Sequence, residues 1–472
     1  MQRILSAPDL DFDLIRHELG VDEDYGAAAQ SEADHPVDRC ATDRADHTDL
    51  PLVTIDPPTS RDLDQAVHIT ADADGFLVRY AIADVGALVV PEGALDAESR
   101  RRGATIYFPD RSVPLHPRSL SEGAGSLLPE QTRPAVLWTI RVGADGAPGE
   151  VSVQRALVRS VAKLDYAGVS ADAAADRLHP SIAALPEFGE LRHQVALARG
   201  AVELELPDQE VVRDGGRWRL RLAPRTPADA WNSQLSLLTG MCAGQIMADA
   251  GVGLLRTLPP ADPERVAALR ASAGALGVDW PEDTTVGRFL AGLPDDQPST
   301  LGLMSAGATL MRGADYLALP AQNGTPAKDR MRHAAIGGLY AHVTAPLRRL
   351  GDRFATEVCL AVTSGKPVPD WVSRALPTLP KLLRSADSLA SSADRAAIDL
   401  TESVLLAGRV GETFDGVVLQ PATEHRPAQV FLTEPAVIAY CDGAPAPGRR
   451  LSVVLEEADP SSRTVRFAPA PG

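Results

Sequence analysis

Cysteine, lysine, net positive charge and long apolar runs are all scarce in this 472-residue chain, and each scarcity removes a class of protein. The four cysteines, Cys40, Cys242, Cys359 and Cys441, are scattered. They make neither the close pairs of a zinc site nor the dense framework of a small secreted domain, so they read as buried small apolar residues. No apolar run approaches the ~18 residues needed to cross a bilayer. The opening Met1-Gln2-Arg3-Ile4-Leu5-Ser6 leads into acidic sequence without the regions of a signal peptide. A cytoplasmic protein without a membrane partner is expected. The net charge is −17, from 46 Lys and Arg against 63 Asp and Glu. That balance excludes a general nucleic-acid coat protein, whose affinity comes from clustered cations. It leaves room for an enzyme that draws RNA into an interior channel, because only the channel wall needs to be basic. Nearly all the positive charge is arginine, which suits bidentate phosphate contacts.

What is present has the length of two to four domains, with 44% hydrophobic and 23% charged residues, near the globular average. Residues 1–50 read as a short helix, Asp9 to Leu19, and an acidic tract: an N-terminal extension too small for its own core. From residue 51 strand signals appear. Leu52 to Ile55 is followed by Ala66 to Thr70 and Phe76 to Val85 around Ala73-Asp74-Gly75. Pro134 to Val142 pairs with Glu150 to Val161 around Asp145-Gly146, and Val211 to Leu222 folds back around Asp214-Gly215-Gly216. Helical spacing of apolar residues marks Asp229 to Ala250, Pro263 to Leu276, Thr284 to Leu293 and Ser385 to Ala407. Residues 411–472 return to short strands, Glu412 to Leu419, Ala428 to Tyr440, Arg449 to Leu455 and Thr464 to Ala468. These suit a small barrel such as an OB-fold.

The strongest chemical signal is the segment Thr54-Ile55-Asp56-Pro57-Pro58-Thr59-Ser60-Arg61-Asp62-Leu63-Asp64-Gln65. Three carboxylates on one loop after a buried strand suit a hard cation, which takes oxygen ligands and completes its shell with water and substrate phosphate. Such a centre performs phosphoryl transfer. Taken alone, Asp56 and Asp62 could equally cap turns.

The string does not stand alone. Its order resembles the signature loop of the ribonuclease II/R (RNB) family of exoribonucleases, where an aspartate after a strand ending Thr-Ile is joined six, eight and nine positions later by three more. Asp56, Asp62 and Asp64 match, and Gln65 stands in the fourth place. Ile82-Ala83-Asp84-Val85, Arg102-Gly103-Ala104-Thr105-Ile106-Tyr107-Phe108-Pro109 and Val113-Pro114-Leu115-His116-Pro117-Arg118-Ser119-Leu120-Ser121 are similar to further family motifs. So is Tyr340-Ala341-His342-Val343-Thr344-Ala345-Pro346-Leu347-Arg348-Arg349-Leu350-Gly351-Asp352, with Ala345 and Leu350 for the family's Ser and Tyr.

The resemblance implies an α+β chain: an RNB catalytic domain over residues 51–410, a mixed sheet with helices around an RNA channel, then an OB-fold-like RNA-binding barrel over 411–472. The family's tandem cold-shock domains have no counterpart, since residues 1–50 cannot hold one. The implied activity is metal-dependent 3′-to-5′ hydrolysis of single-stranded RNA to nucleoside 5′-monophosphates, with Mg²⁺ or Mn²⁺ and no obligatory protein partner. Asp56 and Asp62 would ligate metal, and Asp64 would hold a second ion or orient the attacking water. Arg348 would contact the scissile phosphate, Arg349 a backbone phosphate, and Tyr107 would stack near the 3′-terminal nucleotide. His116 and His342 are expected to be buried structural histidines, and Arg100, Arg101 and Arg102 a solvated helix face. Two departures stand out. Trp231-Asn232-Ser233-Gln234-Leu235 lacks the acids usual there, and Gln65 offers a neutral oxygen. A site with Gln65 should hold Mg²⁺ more weakly, and Gln65→Asp should lower the metal requirement. The alternative is a weakened or inactive RNA-binding descendant of the family.

Overall fold

Successive residues of a strand point to opposite faces, and here both faces are apolar, so the sheet must be covered on both sides. The computed structural model describes residues 10–204, 208–223, 225–294, 297–320, 326–424, 426–432, 434–443 and 445–471. Within it β1 (Ala45–Ile55), β2 (Gln65–Asp72), β3 (Gly75–Ala83), β4 (Thr132–Gly143) and β5 (Pro148–Leu164) close into a barrel. β5 pairs parallel with β1, and the other neighbours are antiparallel. Val53, Val67, Val78, Tyr80 and Trp138 pack toward the long helices. The smaller Ala66, Ala81, Ala135 and Ala156 pack toward Leu63, Leu120, Leu127 and Leu347. The Asp145-Gly146 signal is the tight turn between β4 and β5, where Gly146 has φ +75°.

Asp9 lies outside the described residues, and the remainder of the expected N-terminal helix is α1 (Asp13–Leu19). A second helix, α2 (Ala27–Asp34), follows it. Neither has a core of its own. Phe12, Ile15 and Val21 join a cluster with Ile106, Phe108 and Trp218. Arg16 clamps Asp110 through two hydrogen bonds of 2.8 and 2.7 Å, and Glu32 accepts the backbone N–H groups of Ala94 and Leu95.

α3 (Pro227–Ala250) starts at a capping box between Thr226 and Asp229 and stops at Gly251 in the left-handed region. α4 (Leu350–Thr363) is buried from Leu350 to Ala361, including Asp352, Arg353 and Glu357. α5 (Leu379–Leu406) begins six residues before the expected Ser385, its first turn opened by Pro380. It runs from the hairpin of Ile106–Tyr107 and Ser112–Val113 toward the C-terminal strands.

The closing barrel comprises β6 (Thr413–Gln420), β7 (Ala428–Leu432), β8 (Val437–Cys441), β9 (Arg450–Asp459) and β10 (Thr464–Pro469), in the closed order β6-β7-β8-β10-β9. The expected single strand Ala428 to Tyr440 is therefore two, interrupted by a turn that contains Pro435. Proline cannot donate to a ladder, so the run breaks there. Val418, Val430, Leu432, Val453 and Phe467 fill the interior, and Leu406 joins them from the end of α5.

Candidate active site

The loop between β1 and β2 is held in shape by its backbone. Asp56 continues the β1–β5 ladder by donating its N–H to Leu164. Lys163 Nζ donates to the carbonyls of Pro58 and Ser60 at 2.8 and 2.6 Å. The Ser126 hydroxyl accepts the Leu63 N–H and donates to the Arg61 carbonyl. Leu63 is fully buried between Asp62 and Asp64, and Asp64 is buried with it.

The three aspartates share one environment. Burial pushes Asp56 up to about 6, opposed by Arg348, with Asp62 adding repulsion. Burial likewise raises Asp62. Asp64 is 4% exposed, and desolvation raises it to about 8 against the pull of Arg348 and the Leu347 N–H. That N–H donates to Asp64 Oδ1 at 2.8 Å, and Arg348 Nε lies 3.5 Å from Oδ2. Tyr107, 52% exposed, stands on the Ile106–Tyr107 strand, where Arg348, Asp62 and Asp64 all influence its hydroxyl. The strand is stitched to the arginine turn: Thr105 N–H donates to Arg348 O and Leu350 N–H to Gly103 O, both at 3.0 Å. Asp56, Asp62, Asp64, Arg348 and Tyr107 thus converge, although nearly three hundred residues separate the first from Arg348.

The other expected residues are placed differently. Arg349 contacts Asp352, with Nη2 2.7 Å from Oδ2 and Nε 3.1 Å from both oxygens, so its guanidinium braces the turn from within. His342 is held neutral by burial, its Nδ1 3.4 Å from the Tyr316 hydroxyl. Burial lowers His116 to about 3, beside Ser99. Arg100 pairs with Asp96, and Arg101 and Arg102 with Glu98. Arg102 also lies over the Tyr25 ring, joining that helix to the N-terminal segment.

Sequence reasoning passed over Tyr166 and met Asn232 only as part of the segment that lacks the family's acids. Tyr166 is half-buried, is raised to about 12 by burial and by nearby Asp56, and accepts a 3.4 Å hydrogen bond from Asn232 on α3. Its signal was the Leu164-Asp165-Tyr166 exit from β5, the strand paired with β1. A second polar surface lies between α5 and the closing barrel, a recess of about 500 Å³. Arg312, Arg395, Arg426 and Arg463 line it together with Asp394, Asp399, Glu402 and exposed Tyr440.

Among the described residues no group of three His, Cys, Asp or Glu side chains closes on a point as a ready metal cage. The donor chemistry nevertheless fits a hard divalent cation. Asp56 and Asp62 carry carboxylates that burial disfavours in the charged form, and neither has an ion-pair partner among the described residues. A cation would restore the balance.

A barrel whose first loop presents aspartates to an arginine turn, followed by a second five-stranded barrel, defines the class. Residues 44–362 match the RNB domain, and residues 412–470 match the RNase II-type exonuclease C-terminal S1 domain. The chain belongs to the RNB family. It is 31% identical over 239 residues to Exoribonuclease 2 of Vibrio vulnificus, covering 48% of this chain and 36% of that protein. It is 24% identical over 457 residues to Ribonuclease R of Chlamydia trachomatis, covering 92% of this chain and 62% of that one. It thus spans between about a third and two thirds of these relatives. Among solved structures, the apo form of Mycoplasma genitalium RNase R superposes with a TM-score of 0.86 at 20% identity, covering 97% of this chain and 77% of that one. Yeast Ssd1, described as a pseudonuclease, superposes at 0.73 with 15% identity, covering 98% and 58%. Among the described residues no helix is long and apolar enough to cross a membrane.

Proposed function

We propose that the chain is a metal-dependent exoribonuclease that removes nucleoside 5′-monophosphates from the 3′ end of single-stranded RNA. The observation that carries this reading is the convergence of three desolvated aspartates, the Arg348 guanidinium and the exposed Tyr107 ring on one site. Mg²⁺ or Mn²⁺ held by Asp56, Asp62 and Asp64 would neutralise phosphate charge and make bound water more acidic. Arg348 is oriented by Asp64 and by the backbone bonds of its turn. Its side chain is 45% exposed, so its fork can meet the non-bridging phosphate oxygens where charge develops. Tyr107 offers a stacking face that accepts any base, which suits digestion indifferent to sequence. The recess beside the closing barrel, where four arginines outnumber Asp394, Asp399 and Glu402 and Tyr440 is exposed, would bind upstream single strand by the same chemistry.

A second reading, an RNA-binding protein without hydrolysis, is favoured by one observation: Gln65 stands where the family carries a fourth acid. Incubation with 5′-labelled single-stranded RNA and matching DNA in Mg²⁺ or Mn²⁺ separates the two. A shortening RNA ladder beside intact DNA is expected. Retained RNA that binds but never shortens would replace the first reading by the second.

A further inference from the structure

Gln65 sits where the acidic loop leaves the family pattern, and its side chain has definite partners. Nε2 donates to the Thr344 carbonyl at 2.6 Å, and Oε1 accepts the Tyr80 hydroxyl at 2.8 Å. Tyr80 is 1% exposed in the barrel, and its hydroxyl lies 3.1 Å from that of Ser236 on α3. One residue earlier, Asp64 accepts the Leu347 N–H. Consecutive side chains where the acidic loop enters β2 therefore fasten residue 344, just before the Ala345–Arg348 turn, and residue 347 within it.

The chemistry of these partners selects an amide. A carbonyl oxygen has no proton, so the group facing Thr344 must be a donor, whereas the phenol of Tyr80 needs an acceptor. Glutamine supplies both. An ionised carboxylate supplies the acceptor alone and sets a negative oxygen against the Thr344 carbonyl, and aspartate is shorter by a methylene as well.

We infer that Gln65 is a positioning residue: its amide clips the Arg348 turn to the acidic loop, and cation binding falls to Asp56, Asp62 and Asp64 without it. This rests on the metal-dependent reading of that loop, and it reverses the expectation that an acid at 65 would improve the site.

The test measures Mn²⁺ binding, through loss of the free-ion paramagnetic signal, alongside hydrolysis of labelled single-stranded RNA and thermal melting. The proteins are the parent, Gln65→Glu, Gln65→Asp, Tyr80→Phe and the Gln65→Glu/Tyr80→Phe double variant, with Asp64→Asn marking lost metal affinity. Gln65→Glu and Gln65→Asp should bind Mn²⁺ within about twofold of the parent, because no ligand is gained. Their kcat should fall about 10- to 100-fold with little change in KM, as a misplaced transition-state group does. The double variant should be no slower than Gln65→Glu, because both changes break one chain of bonds. Tighter Mn²⁺ binding with faster hydrolysis in Gln65→Asp would overturn the inference, and so would an unaltered kcat in Gln65→Glu. A parent that binds Mn²⁺ but leaves RNA intact refutes hydrolysis, and the Mn²⁺ comparison then still decides whether residue 65 is a ligand. A parent that binds no Mn²⁺ overturns both proposals.

Discussion

Asp64 shows how a single residue can serve the site at the expense of the fold. Its carboxylate is buried, has one hydrogen-bond donor and stands 3.5 Å from the Arg348 guanidinium, and desolvation lifts it to about 8. Asp64→Asn removes the buried charge while keeping an oxygen for the Leu347 N–H. Without added cation at pH 9 the variant should melt higher than the parent, each kcal/mol being worth roughly 1 °C in a chain of this length. Mn²⁺ should raise the parent's melting temperature and leave the variant's unchanged, since a ligand that binds the folded state alone stabilises it. A parent and variant that respond equally to Mn²⁺ would remove Asp64 from the metal site. Tyr107 makes no comparable sacrifice. Tyr107→Ala should retain the fold but lengthen the terminal undigested fragment, because a stacked base is worth ~1–3 kcal/mol. An unchanged end product would leave the ring without a role in holding RNA.

Among elements, the hairpin carrying Tyr107 depends on the N-terminal segment. Arg16 is 4% exposed and holds Asp110 at the hairpin's turn, while its guanidinium lies over Phe108. Arg16→Ala should lower stability by ~1–3 kcal/mol, because Asp110 loses its two-bond clamp and keeps only the Arg111 contact at 3.2 Å. It should also lengthen the end product as Tyr107→Ala does, and a normal end product would separate the segment from the site. No reading of residues 1–50 alone could have found this, because the partners lie about ninety residues downstream. The same limit applies elsewhere. The acidic loop, the hairpin turns and α3 were legible because their signals are local: an aspartate spacing, an Asp-Gly pair, a capping box. α4 was not singled out: its Asp352, Arg353 and Glu357 read as a solvent face, whereas each is buried in an ion pair with a distant or neighbouring partner. The amide of Gln65 gave no warning either, its carbonyl partner being 279 positions away. Arg349 looked like a phosphate ligand beside Arg348, and three positions on lay Asp352, which holds it.

For the molecule as a whole, Glu402 joins three parts. It lies near the end of α5, is 2% exposed, and its Oε1 accepts Gln209 Nε2 at 2.8 Å and the Ile438 N–H of the closing barrel at 3.0 Å. Desolvation raises it to about 8. Because the folded state holds this proton more tightly, its contribution to stability is complete below the ordinary carboxylate range and is lost as pH rises through about 8. Glu402→Gln copies the protonated acid. The two proteins should melt alike near pH 4, and the variant should melt higher at pH 9. Parallel melting profiles across that range would show that the junction does not titrate.

Assembly of the acidic loop with its arginine has a temporal side. Asp64 and Leu347, whose contact seats Arg348, are 283 residues apart. A ribosome adding about 5–20 residues per second reaches the second roughly 15–60 s after the first. Throughout that interval the growing polypeptide carries its aspartates without their guanidinium, so the proposed site cannot assemble until Leu347 and Arg348 have been added.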